Sequence, residues 1–348
     1  MRQMATVREI EAIESIENAD AIEVATVGGW KVVVKKGEFE TGELAIYCEI
    51  DSWIPTELAP FLSKGKEPRV YEGIKGERLR TIKLRGQVSQ GLLIKTELGI
   101  GGFPFVKKVP DSEIELVNEG DDVSELLNIV KYDPPLNAQL AGLAKGNFPS
   151  QIPKTDQERI QNCMKEVNRF IQTNSVFEIT EKLEGASMTC YLMDDVFGVC
   201  SRNLDLKETE GNALWDIARC LNIEEKLREH GEDIAVQGEI IGPGIQKNIY
   251  KLNKTEFKIF DIVDIKTGQY FKPKERIDTL LTLGLDSVPV LCVETLGDLF
   301  GEPAEIIDYA DGKSVLNQKT NREGIVLKSA DTDFTFKAIS NLYLLKEK

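Results

Sequence analysis

Lys182-Leu183-Glu184-Gly185 stands between two strand-like runs, VFEIT (176–180) and ASMTCYLM (186–193). A lysine on a short strand–turn element becomes a nucleophile when its surroundings remove its proton. Its ordinary pKa is about 10.4, so burial or a neighbouring cation must lower it for use near neutrality. A second Lys-x-x-Gly occurs upstream, Lys83-Leu84-Arg85-Gly86. For either one alone, a surface lysine beside a turn glycine is the ordinary reading. The residues C-terminal to Lys182 set it apart. Ser201-Arg202-Asn203 closes a strand. Gln237-Gly238-Glu239-Ile240-Ile241-Gly242 puts a carboxylate into an apolar strand. Phe257-Lys258-Ile259-Phe260-Asp261-Ile262, Arg322-Glu323-Gly324-Ile325-Val326-Leu327-Lys328 and Phe334-Thr335-Phe336-Lys337-Ala338 do the same with both signs of charge. Unpaired buried charge is costly. A polyphosphate with a divalent metal satisfies both signs at once, carboxylates facing the hydrated cation and lysines the phosphate oxygens.

The elements that must position these residues can be read from periodicity. Residues 21–51 alternate and are rich in β-branched side chains, with turn signals at Gly28-Gly29 and Glu40-Thr41-Gly42. ERLRTIKLRGQVSQGLLI (77–94) adds two strands bent at Gly86. Short strands at this spacing predict a small β-barrel or sandwich. The Pro-, Gly- and Asn-rich stretch before Lys154 predicts a linker at 136–153, between domains at 1–135 and 154–348. Thr155-Asp156-Gln157-Glu158 has a capping-box pattern, and Ile160, Cys163, Met164, Val167, Phe170 and Ile171 come after it at helical spacing, so a helix is expected to open the second domain. Strands at 176–201, helical character around 210–229 and strands at 234–241, 257–265, 324–328 and 334–339 make that half α+β.

Composition narrows the function. No apolar run approaches the ~18 residues of a membrane span. The opening MRQMATVREIEAIESIENAD has no apolar core of a secretory leader, so an intracellular, cytoplasmic protein is expected, with the nucleus left open. The six cysteines form no CxxC, which disfavours a zinc site and a disulfide framework, and the single His230 excludes chemistry needing a histidine pair. A net charge of −15 argues against a nonspecific nucleic-acid binder. That average conceals a basic island, with nine Lys and Arg against three acids in residues 64–95. A solvated, charge-balanced strand face is the ordinary explanation; an electrostatic footprint is the other.

Lys182-x-x-Gly185, Glu239, Phe260-Asp261, Glu323-Gly324 and Lys337 resemble, in order, the motifs of covalent nucleotidyltransferases, the superfamily of polynucleotide ligases and mRNA capping enzymes. The strings LRGQVSQGL (84–92), KTDQERIQN (154–162), QGEIIG (237–242) and FKAISN (336–341) extend the likeness over nearly the whole chain, toward ATP-dependent RNA ligases with an OB-fold domain before the ligase domain. The resemblance implies an N-terminal OB-fold β-barrel and a nucleotidyltransferase domain of antiparallel sheets with helices. It implies three in-line phosphate displacements. Lys182 attacks the α-phosphate of ATP to give lysyl-AMP, AMP passes to an RNA 5′-phosphate, and the 3′-OH then expels AMP. It further implies ATP contacts from Glu181, Lys182, Arg202, Asn203, Glu239, Phe260, Lys328 and Lys337. Glu184, Glu239 and Glu323 would hold a hydrated Mg2+ or Mn2+. Arg80, Lys83 and Arg85 of the basic island would contact RNA, with Trp30, Trp53 and Tyr71 as candidate stacking residues or, more ordinarily, core. The partner is RNA ends at a nick in a duplex, the protein a monomer with no obligate protein partner, and the role RNA repair.

Two departures qualify the likeness. The last motif of the superfamily is usually Lys-x-Lys, yet Thr335 and Ile339 flank Lys337, leaving Lys328 to supply the second charge. Eleven residues remain after Lys337, too few for a C-terminal OB domain, which disfavours a DNA ligase or capping guanylyltransferase. The remaining alternative is an OB-fold RNA-binding protein with an inactive site, which would have no reason to retain buried charges.

Overall fold

The structure is a computed structural model that describes residues 3–96, 106–108, 114–133 and 142–346. The chain separates into two compact units, 1–135 and 136–348.

In the first unit, short antiparallel strands wrap one core. Ala5–Glu9, Leu44–Cys48 and Leu92–Lys95 form one sheet, with Leu44–Cys48 central. Ala12–Ser15, Ile22–Val27 and Trp30–Lys35 form a second, and Val130–Lys131, Ser52–Pro55, Ile74–Arg78 and Arg69–Tyr71 a third. Alternation explains the burial. Trp30, Val32 and Val34 point inward from one strand while Lys31 and Lys35 point out. Ile82–Leu84 and Gln87–Ser89 form a hairpin about Arg85-Gly86, both at positive φ. Ser89 and Gln90 anchor it, the Ser89 hydroxyl accepting from the Val33 N–H at 2.9 Å and the Gln90 N–H donating to Lys31 O at 2.8 Å. Gly91 must be glycine, because its φ is +132° and a Cβ would lie 2.3 Å from the Tyr47 ring.

The second unit contains two sheets. The larger runs, edge to edge, Ala144–Asn147, Leu204–Leu206, Val196–Ser201, Ala186–Met193, Ile234–Ile241, Glu256–Asp264 and Gln269–Tyr270. Helices Ala213–Cys220, Ile223–His230 and Pro273–Leu283 cover it through Trp215, Leu227 and Leu280. Asn212 caps the first of these by accepting from the Leu214 N–H. The smaller sheet runs Glu158–Arg159, Thr335–Ile339, Gly324–Ser329, Val176–Lys182 and Val290–Thr295. Helices Met164–Gln172 and Pro303–Ala310 cover it through Val167, Ile171 and Ile306.

Two expectations are corrected locally. The helix expected from residue 156 begins at Met164. Glu158 and Arg159 instead pair in parallel with Phe336 and Lys337, and the Glu158 carboxylate accepts from Asn162 Nδ2 at 2.8 Å. The pairing partner, distant in sequence, overrides the capping signal. In the stretch expected as a linker, residues 136–141 lie outside the described residues, and Ala144–Asn147 is an edge strand paired with Leu204–Leu206. Its glycine and lysine are compatible with an edge. No helix among the described residues is long and apolar enough to cross a membrane.

Candidate active site

The candidate site lies where the two sheets of the second unit meet. Val176–Lys182 ends in Lys182, and a short turn later Ala186 opens a strand of the other sheet. Lys182-Leu183-Glu184-Gly185 is therefore the crossover between sheets. Gly185 is required by close approach, since a Cβ there would lie 2.2 Å from Ile240 O and 2.8 Å from Glu239 Cγ. The Tyr250 hydroxyl fixes the same turn by accepting from the Glu184 N–H at 2.6 Å.

Register assigns the faces. Lys182 is opposite Gly324, Glu178 opposite Lys328, and Val326 opposite Lys337. With a two-residue side-chain period, Lys182, Lys328, Lys337 and Glu178 share one face of the smaller sheet. Across from them, Glu239 pairs with Ser187, and Gln237 with Thr189 and Asp261, on one face of the larger sheet. The faces are joined by ion pairs, so the inter-sheet layer is polar and charged.

At its centre, Lys182 Nζ donates to Glu323. Burial pulls the Lys182 ammonium down, but the Glu323 and Glu239 carboxylates outweigh it and the net shift is upward. Glu239 is pushed up to about 8 by burial, against the attraction of Lys182 and with the repulsion of Glu323 added. Two carboxylates thus compete for one ammonium. Glu181 faces the opposite side of its strand, where Oε2 accepts from the Val315 N–H at 2.8 Å, and burial raises its pKa against the pull of Ser314, Val315 and Arg322. Lys328 donates to Asp261 and to the Phe260 carbonyl; burial lowers its pKa although Asp261 opposes the shift.

The expected residues separate into groups. Lys182, Glu239 and Glu323 are brought together, with Glu184 in the adjoining turn and Lys337 on the same sheet face as Lys182. Lys328 is turned onto Asp261. Arg202 and Asn203 lie on an exposed turn at the rim, where Arg202 pairs with Asp156 at 2.9 Å and Asn203 Oδ1 accepts from Lys154 Nζ at 3.3 Å. The Arg202 charge still acts on Glu239. Phe260 is partly buried beside Leu183, Ile241 and Tyr250. Among the described residues, no three His, Cys, Asp or Glu side chains are grouped to ligate a metal directly. The donor set instead fits a hydrated cation: two carboxylates face one ammonium, and a carboxyl raised to about 8 has room for a second positive charge.

Several contributors leave little trace in the sequence. Arg159 pairs in register with Lys337, is buried, and bears electrostatically on Lys182. Its position inside an expected helix conceals it. Tyr250, in a turn-rich segment, gives no signal. Arg276 projects from the Pro273–Leu283 helix into the inter-sheet layer and holds both Glu178 oxygens through Nη2 at 2.8 Å.

In the first unit, Trp30 and Trp53 are core, 0% and 1% exposed, and Tyr71 packs on Trp53 and Tyr132. Much of the basic island is internally balanced: Arg69 pairs with Glu77, Lys75 with Glu67, Arg78 with Asp51 and Lys95 with Glu43. Arg80, Lys83 and Arg85 are exposed on and beside the Ile82–Ser89 hairpin, held by no ion pair to another described residue.

Residues 4–96 match an OB-fold domain family, and residues 175–339 match the RNA ligase family. A Naegleria gruberi RNA ligase variant solved with AMP and Mn is 42% identical, with 99% of each chain covered and a TM-score of 0.87. The ligase from that organism solved with PPi is 42% identical over 100% of this chain and 99% of that chain, with a TM-score of 0.86. A variant solved with ATP and Mn is 42% identical over 99% of each chain, with a TM-score of 0.86. No curated protein matches the chain. An OB-fold domain followed by a two-sheet nucleotidyltransferase-type domain, with a lysine–carboxylate centre at the sheet crossover and this identity along the full length, places the chain in the RNA ligase family.

Proposed function

We propose that the protein is an ATP-dependent RNA ligase that seals 3′-OH and 5′-phosphate ends at nicks, through lysyl-AMP on Lys182 and an adenylylated RNA 5′ end. The observation that carries this reading is Lys182 at the sheet crossover, paired with Glu323 and backed by Glu239. The Naegleria gruberi structures with ATP and Mn, with AMP and Mn, and with PPi support ATP as the nucleotide and a divalent cation as cofactor.

Lys182 is an ammonium in the free protein and must become an amine to attack. Glu323 accepts its hydrogen bond and is the nearest group to receive the proton. Glu184, Glu239 and Glu323 would hold hydrated Mg2+ or Mn2+, which when bound favours the neutral amine and neutralises charge developing on the α-phosphate. Lys337, on the Lys182 sheet face, faces the α-phosphate. Phe260 stacks on the base, and Glu181 belongs to the ATP-binding set from the opposite face of its strand. Arg202 and Asn203, at the rim, serve the ribose or phosphate edge. Lys328 acts from its position on Asp261, bracing the Phe260 wall. Arg80, Lys83 and Arg85 track the RNA backbone through an electrostatic contact. The OB-fold unit binds the RNA and the second unit carries the ligase chemistry, and the protein works as a monomer in the cytoplasm.

The test is sealing on matched nicked duplexes whose strands are RNA or DNA in each combination, with ATP and Mg2+ or Mn2+. Joining of a 3′-OH RNA end to a 5′-phosphate end, with adenylylated RNA as intermediate, is expected. Joining confined to DNA ends, or GTP transfer to an RNA 5′ end, refutes the reading.

A further inference from the structure

Strand Glu256–Asp264 carries a β-bulge at Phe260. On the neighbouring strand, Gln237 lies opposite Asp261 and the adjacent Gly238 opposite Ile259, so Phe260 is the extra residue. The bulge resets the side-chain alternation. Ile259 and Ile262 pack in the same core, Asp261 turns to the inter-sheet layer, and the Phe260 ring is delivered beside Leu183 and Tyr250. Leaving the ladder frees the Phe260 carbonyl, and a buried carbonyl needs a donor. Arg276 Nη1 donates to it at 3.1 Å, alongside Lys328 Nζ. Arg276 Nη2 holds both Glu178 oxygens, and the two side chains are 1% and 2% exposed. A pair buried this deeply adds little net stability over an apolar pair of the same shape; what it supplies is position. Glu178 stands on the strand that ends in Lys182, four residues earlier and on the same face.

We propose that Arg276, tied to Glu178, is a positioning residue that clamps the Phe260 bulge and so fixes the aromatic wall on which the adenine of ATP stacks, at a set place relative to the nucleophile. The proposal rests on the reading of Phe260 as the stacking residue. The clamp acts through Phe260 and touches no nucleotide.

The experiment is a double-mutant cycle on the full-length protein, read as the ATP concentration for half-maximal self-adenylylation and, separately, as the limiting rate. Phe260→Ala is expected to raise the half-saturating ATP about tenfold, the loss of one stacked base. The paired variant Glu178→Met with Arg276→Met leaves no orphan charge. It should raise that concentration by a similar factor while the limiting rate changes less than about threefold. Combined with Phe260→Ala it should add nothing further, because the clamp has no other target. Multiplying effects in the combined variant, or a paired variant that loses thermal stability with unchanged half-saturation, overturns the clamp. An unchanged half-saturation in Phe260→Ala alone overturns the stacking reading, and the clamp with it. If the paired variant is too unstable to assay, Arg276→Lys, which keeps the charge but cannot reach both partners, enters the same cycle with the same criteria.

Discussion

Glu239→Gln probes the electrostatics that surround Lys182. Burial pushes the Glu239 carboxyl from an ordinary 4.5 up to about 8. Between those values the folded protein holds a proton that the unfolded chain has released, so the contribution of Glu239 to stability falls as pH rises through the window. The distance from 4.5 to about 8 corresponds to about 5 kcal/mol. The residue is partly exposed and its charge is coupled to that of Lys182, which reduces the working figure to about 2 kcal/mol. Glutamine keeps the shape of the neutral acid and cannot ionise. Wild type and Glu239→Gln should therefore unfold at the same temperature near about pH 5. By about pH 9 the variant should melt higher by roughly 4–8 °C, the shift that ~2 kcal/mol gives in a domain of this size. The assay is thermal unfolding across pH with EDTA and without nucleotide. A gap that does not change with pH, or a variant that loses ground as pH rises, refutes the reasoning.

The geometry sets three further outcomes. Self-adenylylation should accelerate as pH rises, because the carboxylates hold Lys182 as an ammonium; Glu323→Gln should move that rise to lower pH while lowering its ceiling, as a pH–rate profile will show. Gly185→Ala places a Cβ 2.2 Å from Ile240 O, so unfolding should come about 1–3 kcal/mol earlier in denaturant, with adenylylation impaired. Replacing Arg80, Lys83 and Arg85 together by alanine should flatten the dependence of log affinity on log salt by about 2 for single-stranded RNA, whereas Trp53→Ala should weaken the fold and leave that slope alone.

What the sequence disclosed depended on whether the signal was local. The strand at 234–241 and the turn at Gly28-Gly29 were legible because alternation and turn chemistry act within a few residues. The gathering of Lys182, Glu239 and Glu323 was legible only through the order of motifs and the resemblance they carry. Hidden features had distant causes. Arg159 reads as the second turn of a capped helix until Lys337, remote in the chain, offers it a strand partner. The bulge at Phe260 leaves an unbroken apolar strand pattern, and only Arg276 and Lys328 reveal it by occupying its carbonyl. Trp30 and Trp53 have the composition of a stacking platform, yet lie in the core because their strands alternate inward at those positions. The basic island was half an illusion of composition, since acids inside and outside it pair with several of its bases.

The most direct test of Lys182 as the nucleophile is covalent labelling of the full-length protein with α-labelled ATP and Mg2+ or Mn2+, wild type beside Lys182→Ala, resolved on a denaturing gel. Label on the wild type that is released by PPi and by a 5′-phosphate RNA, with none on the variant, is the predicted result. A wild type that takes no label with either metal, or a Lys182→Ala protein that takes it as well, contradicts the claim that Lys182 is the nucleophile.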